Sequence, residues 1–324
     1  MFKKKAFIGI DLGGSNIYGM AFMQQERYVP VAEHKIDTEA REGYEHVLAR
    51  IQSVIDELVK LTDNAGYKVS ATGLCVPGVV SGQTVRIAPN LGWSNVNPIE
   101  QLDLSAAGGN ERAVLVNDVN AGLIGELTVY QGIPPITLAY FCGTGVGGAV
   151  ALNGELITGA QGGAGEVGHM VVRQGKRKPA SGGIRGSLEA YIGKWSLNNK
   201  IQKALADGVK TELKSIIDYD LERTPIKSSS IKKAYNRGDD FTRQLMNEYY
   251  ARYLGAAISQ SANLLEPHLV ILGGGIMEAL GGKLLPHIKS HMEKHCMVEP
   301  PELRLAELAD LAGPTGAAHL AAKK

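Results

Sequence analysis

The sequence predicts an α/β fold of two related domains with a cleft between them, and three observations carry that reading. Two glycine-rich turns, Asp11-Leu12-Gly13-Gly14-Ser15 and Gly143-Thr144-Gly145-Val146-Gly147-Gly148, each follow a short apolar run rich in β-formers. A further apolar run closes on Asn117-Asp118, which puts a carboxylate at a strand C-terminus, where ligands of open α/β sheets collect. The glycine hairpin thus occurs twice, as in a duplicated nucleotide-binding domain. At 324 residues the chain is long enough for two domains, each burying its own core.

Ala6 to Ile10 reads as a buried strand and Ile17 to Met23 as its hairpin partner across Gly13-Gly14. Between Arg41 and Asn64, Tyr44, Val47, Leu48, Ile51, Ile55, Leu58 and Leu61 recur at helical spacing, and Asn64-Ala65-Gly66 supplies the stop. Ala71 to Val76 and Ala113 to Val116 are two more buried strands, the first ended by Pro77-Gly78. Ala121 to Tyr130 reads as a helix, Ile136 to Phe141 as a strand, and Val146 to Leu152 as the return arm of the second hairpin. After Gly186 the texture is mostly helical, with one long helix over Asp239 to Glu266 that Pro267 ends. His268 to Leu272 is a strand feeding Gly273-Gly274-Gly275, and Pro314-Thr315-Gly316 opens a short Ala-rich terminal helix. With no low-complexity linker, the expected domains are 1–126, completed by the helix 313–324, and 127–312.

Bulk properties narrow the function classes. A net charge of +1 gives no electrostatic footprint for nucleic acid or an anionic membrane surface. No stretch approaches the roughly 18 uninterrupted apolar residues of a spanning helix, and the basic start Met1 to Lys5 lacks the features of a signal peptide. Cys75, Cys142 and Cys296 form neither an even disulfide set nor a C-x-x-C pair, which fits a reducing cytoplasm.

Function is therefore sought in local chemistry. Gly13 and Gly14 let backbone N–H groups approach phosphate oxygens, the Ser15 hydroxyl adds a donor, and Asp11 at the strand end can position Mg²⁺ through water. Gly143, Thr144 and Gly145 repeat the design, so that two loops grip one polyphosphate; the alternative is a pair of unrelated β-turns. Gly273 and Gly274 offer bare backbone to a flat adenine and ribose. Asp118 reads either as a base that accepts the proton of an attacking sugar hydroxyl or as a helix N-cap. In the first role an ordinary carboxylate pKa suffices, because deprotonation comes late in a loose transition state. Glu166 and His169 stand three residues apart among glycines, an arrangement suited to neighbouring hydroxyls of a polyol ring.

In this order, these motifs with Pro77-Gly78, Asn117-Asp118-Val119-Asn120-Ala121, Gly165-Glu166-Val167-Gly168-His169 and Leu272-Gly273-Gly274-Gly275 resemble the ROK family of sugar kinases and sugar-responsive repressors, in the actin-like ATPase superfamily. The resemblance runs nearly end to end and implies two actin-like/RNase H-like α/β domains that close over a sugar. It implies Asp118 as catalytic base, and Gly78, Asn90, Asn117, Glu166, His169 and Glu189 as the sugar site. Asp11, Gly13, Gly14, Ser15, Gly143, Thr144, Gly145, Gly273 and Gly274 would line the site for ATP and Mg²⁺. A homodimer or homotetramer is also implied.

One departure is large. The family carries a C-x-C-G-x-x-G-C-x-E zinc motif after the Glu-x-Gly-His element, and the three cysteine positions here are Ala180, Gly182 and Ser187. One remaining imidazole cannot hold a structural Zn²⁺, so none is expected. The segment that presents His169 and Glu189 then needs another support. Arg173, Lys176, Arg177, Lys178 and Arg185 make it basic, either as a solvated face or as a contact for an anionic ligand such as a polyphosphate donor.

The expected activity is ATP-dependent phosphorylation of a hexose, glucose at carbon 6, towards which Asn90 leans. Its rivals are kinases of N-acetylmannosamine, N-acetylglucosamine or fructose, and a non-catalytic sugar sensor. The family's repressors place a DNA-binding helix-turn-helix before the first strand, which here begins within a few residues of Met1, so direct binding to nucleic acid is not expected.

Overall fold

A computed structural model describes residues 3–25, 27–175 and 183–324. The chain forms two compact units, residues 1–133, 150–164 and 307–324 on one hand and 134–149 with 165–306 on the other.

In the first unit, β1 (Lys4–Leu12), β2 (Asn16–Gln24) and β3 (Tyr28–Asp37) form an antiparallel meander. β4 (Tyr67–Val76) runs parallel to β1. Beyond it, β5 (Val79–Ser81), β6 (Thr84–Ala88) and β7 (Trp93–Val96) make a small antiparallel sheet, and β8 (Ala113–Asn117) returns parallel to β4. The main sheet has the order β3-β2-β1-β4-β8. The two-residue alternation of β1 sorts its side chains: Ile8 and Ile10 enter the core beneath helix Tyr44–Asn64, with Val47, Ile51, Val54 and Leu58. Phe7, Gly9 and Asp11 take the opposite face, where the terminal helix Ala312–Lys323 lies.

That helix packs backbone against backbone. A Cβ on Gly9 would fall 1.8 Å from Pro314 O, one on Gly73 2.0 Å from Ala317 O, and one on Gly125 2.1 Å from Ala312 O. Its own Gly316 meets helix Asp118–Leu127 in the same way, 1.8 Å from Ala121 O. Only glycine fits these positions. The chain enters the helix past Glu126, which is fully buried and accepts hydrogen bonds from Glu307 N at 2.8 Å and Leu308 N at 2.9 Å. The helix begins at Ala312, two residues before Pro314, because proline is tolerated in a first turn where its missing N–H has no intrahelical partner.

The second sheet comprises β9 (Ile136–Cys142), β10 (Val146–Leu152), β11 (Glu155–Leu156), β12 (Leu269–Gly273) and β13 (Glu302–Leu305) in the order β11-β10-β9-β12-β13. β12 is parallel to both β9 and β13. Tyr140, buried on β9, is held by Ser261 Oγ at 2.6 Å and donates to Ala257 O at 3.2 Å, which fixes helix Ala251–Leu265 over the sheet. The single helix expected over Asp239 to Glu266 is three segments: α-helix Asp240–Gln244, a π-helical stretch Leu245–Tyr250, and α-helix Ala251–Leu265. Asp239 caps the first through Thr242 N, and Glu266 closes the last in a left-handed conformation.

Two glycine substitutions separate close packing from chain flexibility. Gly73→Ala should lower stability in urea unfolding by about 3 kcal/mol or more, because a backbone carbonyl occupies the new methyl's place. Gly282→Ala, inside helix Gly275–Glu293 with nothing within 4 Å, should raise it by about 0.5–1 kcal/mol.

Candidate active site

In the first unit, Asp11, Gly78, Asn117 and Asp118 meet at the carboxyl ends of β1, β4 and β8. Asn117, rather than Asp118, caps the following helix: its Oδ1 accepts from Asn120 N at 3.0 Å, so the helix starts at Asp118, three residues before the expected Ala121. This leaves Asp118 in the first helical turn. Asn117 Nδ2 donates to Gly78 O at 2.8 Å and to Asp118 Oδ1 at 2.9 Å, and Val119 N donates to the same oxygen at 2.9 Å. Asp118 Oδ2 is left for other partners. Gly78 has φ +108°, and a Cβ there would fall 2.1 Å from Ile87 O, so the small sheet closes directly on this corner.

Burial, reinforced by the charge of Asp11, pushes the Asp118 carboxyl up to about 7, against the pull of its hydrogen bonds from Val119 and Asn117. An ordinary carboxylate pKa would have sufficed for a late proton transfer, and burial here raises it above that range. Asp11 is raised too, chiefly by burial, and accepts a hydrogen bond from Cys75 Sγ at 3.4 Å. The first turn of the terminal helix closes on it, since a Cβ on Gly313 would lie 3.3 Å from Asp11 Oδ2.

The turn Gly13-Gly14-Ser15 is closed by Gly13 N donating to Asn16 O at 2.9 Å. Thr38, fully buried and absent from the sequence reading, braces it twice: its N donates to Ser15 O at 2.8 Å and its Oγ1 to Gly13 O at 2.6 Å. Gly14 and Ser15 remain exposed. Asn90, in the turn Pro89–Leu91, is exposed and neighbours Gly14, whose Cβ would lie 3.8 Å from Asn90 Cβ.

In the second unit, Gly143-Thr144-Gly145 is closed by Gly143 N donating to Gly145 O at 2.9 Å. Glu189 braces this loop, its Oε2 accepting from Val146 N at 3.0 Å. Glu166 and His169 stand together at the surface, with His169 Nε2 3.8 Å from Glu166 Oε2. Gly168 packs on β10, where a Cβ would fall 1.9 Å from Val146 O, and so fixes the segment that carries them. Gly273 ends β12, and Gly274 opens helix Gly275–Glu293 with its first N–H groups free of intrahelical partners.

Of the three former thiolate positions, Ala180 and Gly182 lie outside the described residues, as do Lys176, Arg177 and Lys178. Ser187 is fully buried and its Oγ accepts from Ala190 N at 3.4 Å. A methyl, a hydrogen and a hydroxyl engaged in a helix turn do not fit a zinc site. The base of the segment is closed by backbone instead: Leu188 N donates to Met170 O at 2.8 Å, and Val172 N and Arg173 N donate to Gly186 O at 2.9 and 3.1 Å. Among the described residues no three His, Cys, Asp or Glu side chains converge as a metal group, and no helix is long and apolar enough to cross a membrane.

The sequence pattern of the ROK family matches residues 7–324. The chain belongs to the ROK family. Over 320 residues it is 28% identical to a glucokinase of Halalkalibacterium halodurans, spanning 97% of this chain and 94% of that one. An N-acetyl-D-glucosamine kinase of Erwinia tasmaniensis is 26% identical over 327 residues, spanning 97% and 98%. The crystal structure of a ROK hexokinase from Thermus thermophilus superposes with a TM-score of 0.76 at 26% identity, covering 98% of each chain. This ROK protein thus has the two-domain actin-like ATPase fold.

The raised Asp118 pKa has a consequence for stability. Folded Asp118 keeps its proton up to about pH 7, whereas the unfolded chain releases it in the usual carboxylate range. Between those values the folded state binds more protons, so stability falls as pH rises. In metal-free buffer, Asp118→Asn should therefore melt above wild type at pH 8, by about 2–4 °C for each kcal/mol relieved, with the gap closing at pH 4. A gap that does not change with pH, read by scanning fluorimetry, would put the carboxylate in water.

Proposed function

We propose that this chain, a sugar phosphotransferase, transfers the γ-phosphoryl group of ATP to the carbon 6 hydroxyl of glucose. The observation that carries the reading is Asp118: a carboxylate at the head of a helix, one oxygen held by Asn117 and Val119, with a pKa near 7. That value suits a general base at neutral pH, since the deprotonated form is populated and still basic enough to accept the hydroxyl proton. Asp118 takes the proton as the oxygen attacks in line. Gly13, Gly14 and Ser15, and in the other unit Gly143, Thr144 and Gly145, offer N–H and hydroxyl donors to the phosphates. Gly273 and Gly274 lie against the adenosine.

Asp11 would hold Mg²⁺, and the bound cation would neutralise charge on the transferred phosphoryl group. Its burial beside Asp118 fits that role, because a cation there relieves two crowded carboxylates. Asn90, Asn117, Glu166, His169 and Glu189 would contact the sugar ring, Glu189 also supporting the second loop by accepting from Val146 N. The full-length similarity to a glucokinase favours glucose. The similarity to an N-acetyl-D-glucosamine kinase favours an acylated amino sugar as the second reading. Buried, unpaired Cys75 and Cys142 fit a cytoplasmic enzyme, and a homodimer or homotetramer is the proposed assembly.

A coupled ADP-release assay with Mg·ATP against glucose, mannose, fructose, N-acetylglucosamine and N-acetylmannosamine tests the reading. Glucose should be turned over fastest, with kcat/KM rising through a midpoint near pH 7 to a plateau above it, and Asp118→Asn should lose about 10²–10⁴-fold. Turnover of the N-acetyl sugars alone would select the second reading, and an active Asp118→Asn would remove the base. Elemental analysis of the purified protein should find less than stoichiometric zinc, and EDTA should stop turnover without unfolding the chain; one zinc per chain would contradict the donor chemistry at Ser187.

A further inference from the structure

Two helices of the second unit begin at one place. Helix Gly275–Glu293 starts after Gly274 and helix Ser228–Asn236 after Lys227, and neither start has a side-chain cap. A Cβ on Gly275 would lie 3.1 Å from Ser228 Oγ and 3.5 Å from Lys194 Nζ, so both helix starts and the tip of Lys194 share one small volume. The Ser228 hydroxyl oxygen is buried and has no hydrogen-bond partner among the described residues, a costly state for a polar atom. Lys194 is half-buried; desolvation lowers its pKa, and Glu278 opposes that shift.

Each helix start presents free N–H groups and about half a positive charge, and the ammonium adds a whole one. Glu278, in the first turn of helix Gly275–Glu293, supplies one counter-charge to Lys194, and an anion set at the two helix starts would be held by their N–H groups and by the ammonium. The main chain of Lys194 also reaches the second phosphate loop, its N donating to Thr144 O at 3.1 Å and Gly143 O at 3.3 Å. One residue therefore joins the loop Gly143-Thr144-Gly145 to the strand end Gly273-Gly274-Gly275.

We infer that Lys194, with Ser228 and the first N–H groups of helix Gly275–Glu293, grips a phosphate group of the nucleotide donor, an assignment that rests on the kinase reading above. The ammonium and the hydroxyl donate to phosphate oxygens, and the helix ends add their field. Lys194 is then a determinant of affinity for the phosphorylated part of the donor, and adenosine alone does not engage it.

Calorimetric titration of ATP, ADP and adenosine into wild type, Lys194→Ala, Lys194→Arg and Ser228→Ala tests this. Lys194→Ala should weaken ATP and ADP about tenfold or more, the worth of one charge-assisted hydrogen bond, and leave adenosine unchanged. Lys194→Arg should keep most of the affinity. The thermal midpoint of nucleotide-free Lys194→Ala should be no lower than that of wild type, which separates lost binding from lost folding. Wild-type affinity of Lys194→Ala for ATP and ADP, or an equal loss for adenosine, would overturn the assignment alone. Wild-type protein that binds neither ATP nor ADP would overturn the kinase reading and this contact with it.

Discussion

The close approach of the terminal helix to β1, β4 and helix Asp118–Leu127 is the constraint on which the first unit depends. Gly9, Gly73, Gly125 and Gly316 remove four side chains so that backbones touch, and the alternation of β1 then turns Asp11 towards the same helix as Gly9. With the helix seated, water is shut out beneath Asp11 and Cys75, and Asp118 is crowded beside them. The raised carboxyl pKa values of the site are thus a product of packing. They could not be assigned to any one residue type, since an aspartate in an open turn would titrate as a model compound does.

What the sequence made legible was whatever depends on neighbours along the chain. Buried strands read as apolar runs because both faces of β1, β4, β9 and β12 are covered, and their ends read as glycine turns or as Asn117-Asp118. Less legible was everything fixed by distant partners. Asn117 took the cap from Asp118 because Gly78 and Asp118 both draw on its amide. Thr38 and Glu126 gave no local signal, yet one braces the turn Gly13-Gly14-Ser15 and the other anchors the approach to the terminal helix. The π-helical stretch Leu245–Tyr250 leaves the hydrophobic stripe intact, so periodicity alone does not distinguish it from α-helix.

The loss of the zinc thiolates finds a physical answer at the base of the segment. Hydrogen bonds from Val172, Arg173 and Leu188, with an antiparallel bridge between Val171 and Ser187, join its two arms. Ser187, where the resemblance implies a cysteine, accepts instead from Ala190 N in a helix turn. Glu189, two residues on, is engaged with the turn Gly143-Thr144-Gly145 through Val146. Support that a metal would give by coordination is here distributed over several backbone contacts, each weak and none dependent on deprotonated ligands.

The discontinuity of the first unit also sets an order of assembly. Residues 307–324 leave the ribosome only after the whole of the second unit has been made, and until then Gly9, Gly73 and Gly125 line an unfilled slot. The second unit holds its own sheet and helices and is free to fold during synthesis, whereas the first must wait for a segment nearly two hundred residues beyond Gly125. Until that helix is seated, the burial that raises the Asp118 pKa is incomplete, so the shift is expected to arise late in folding.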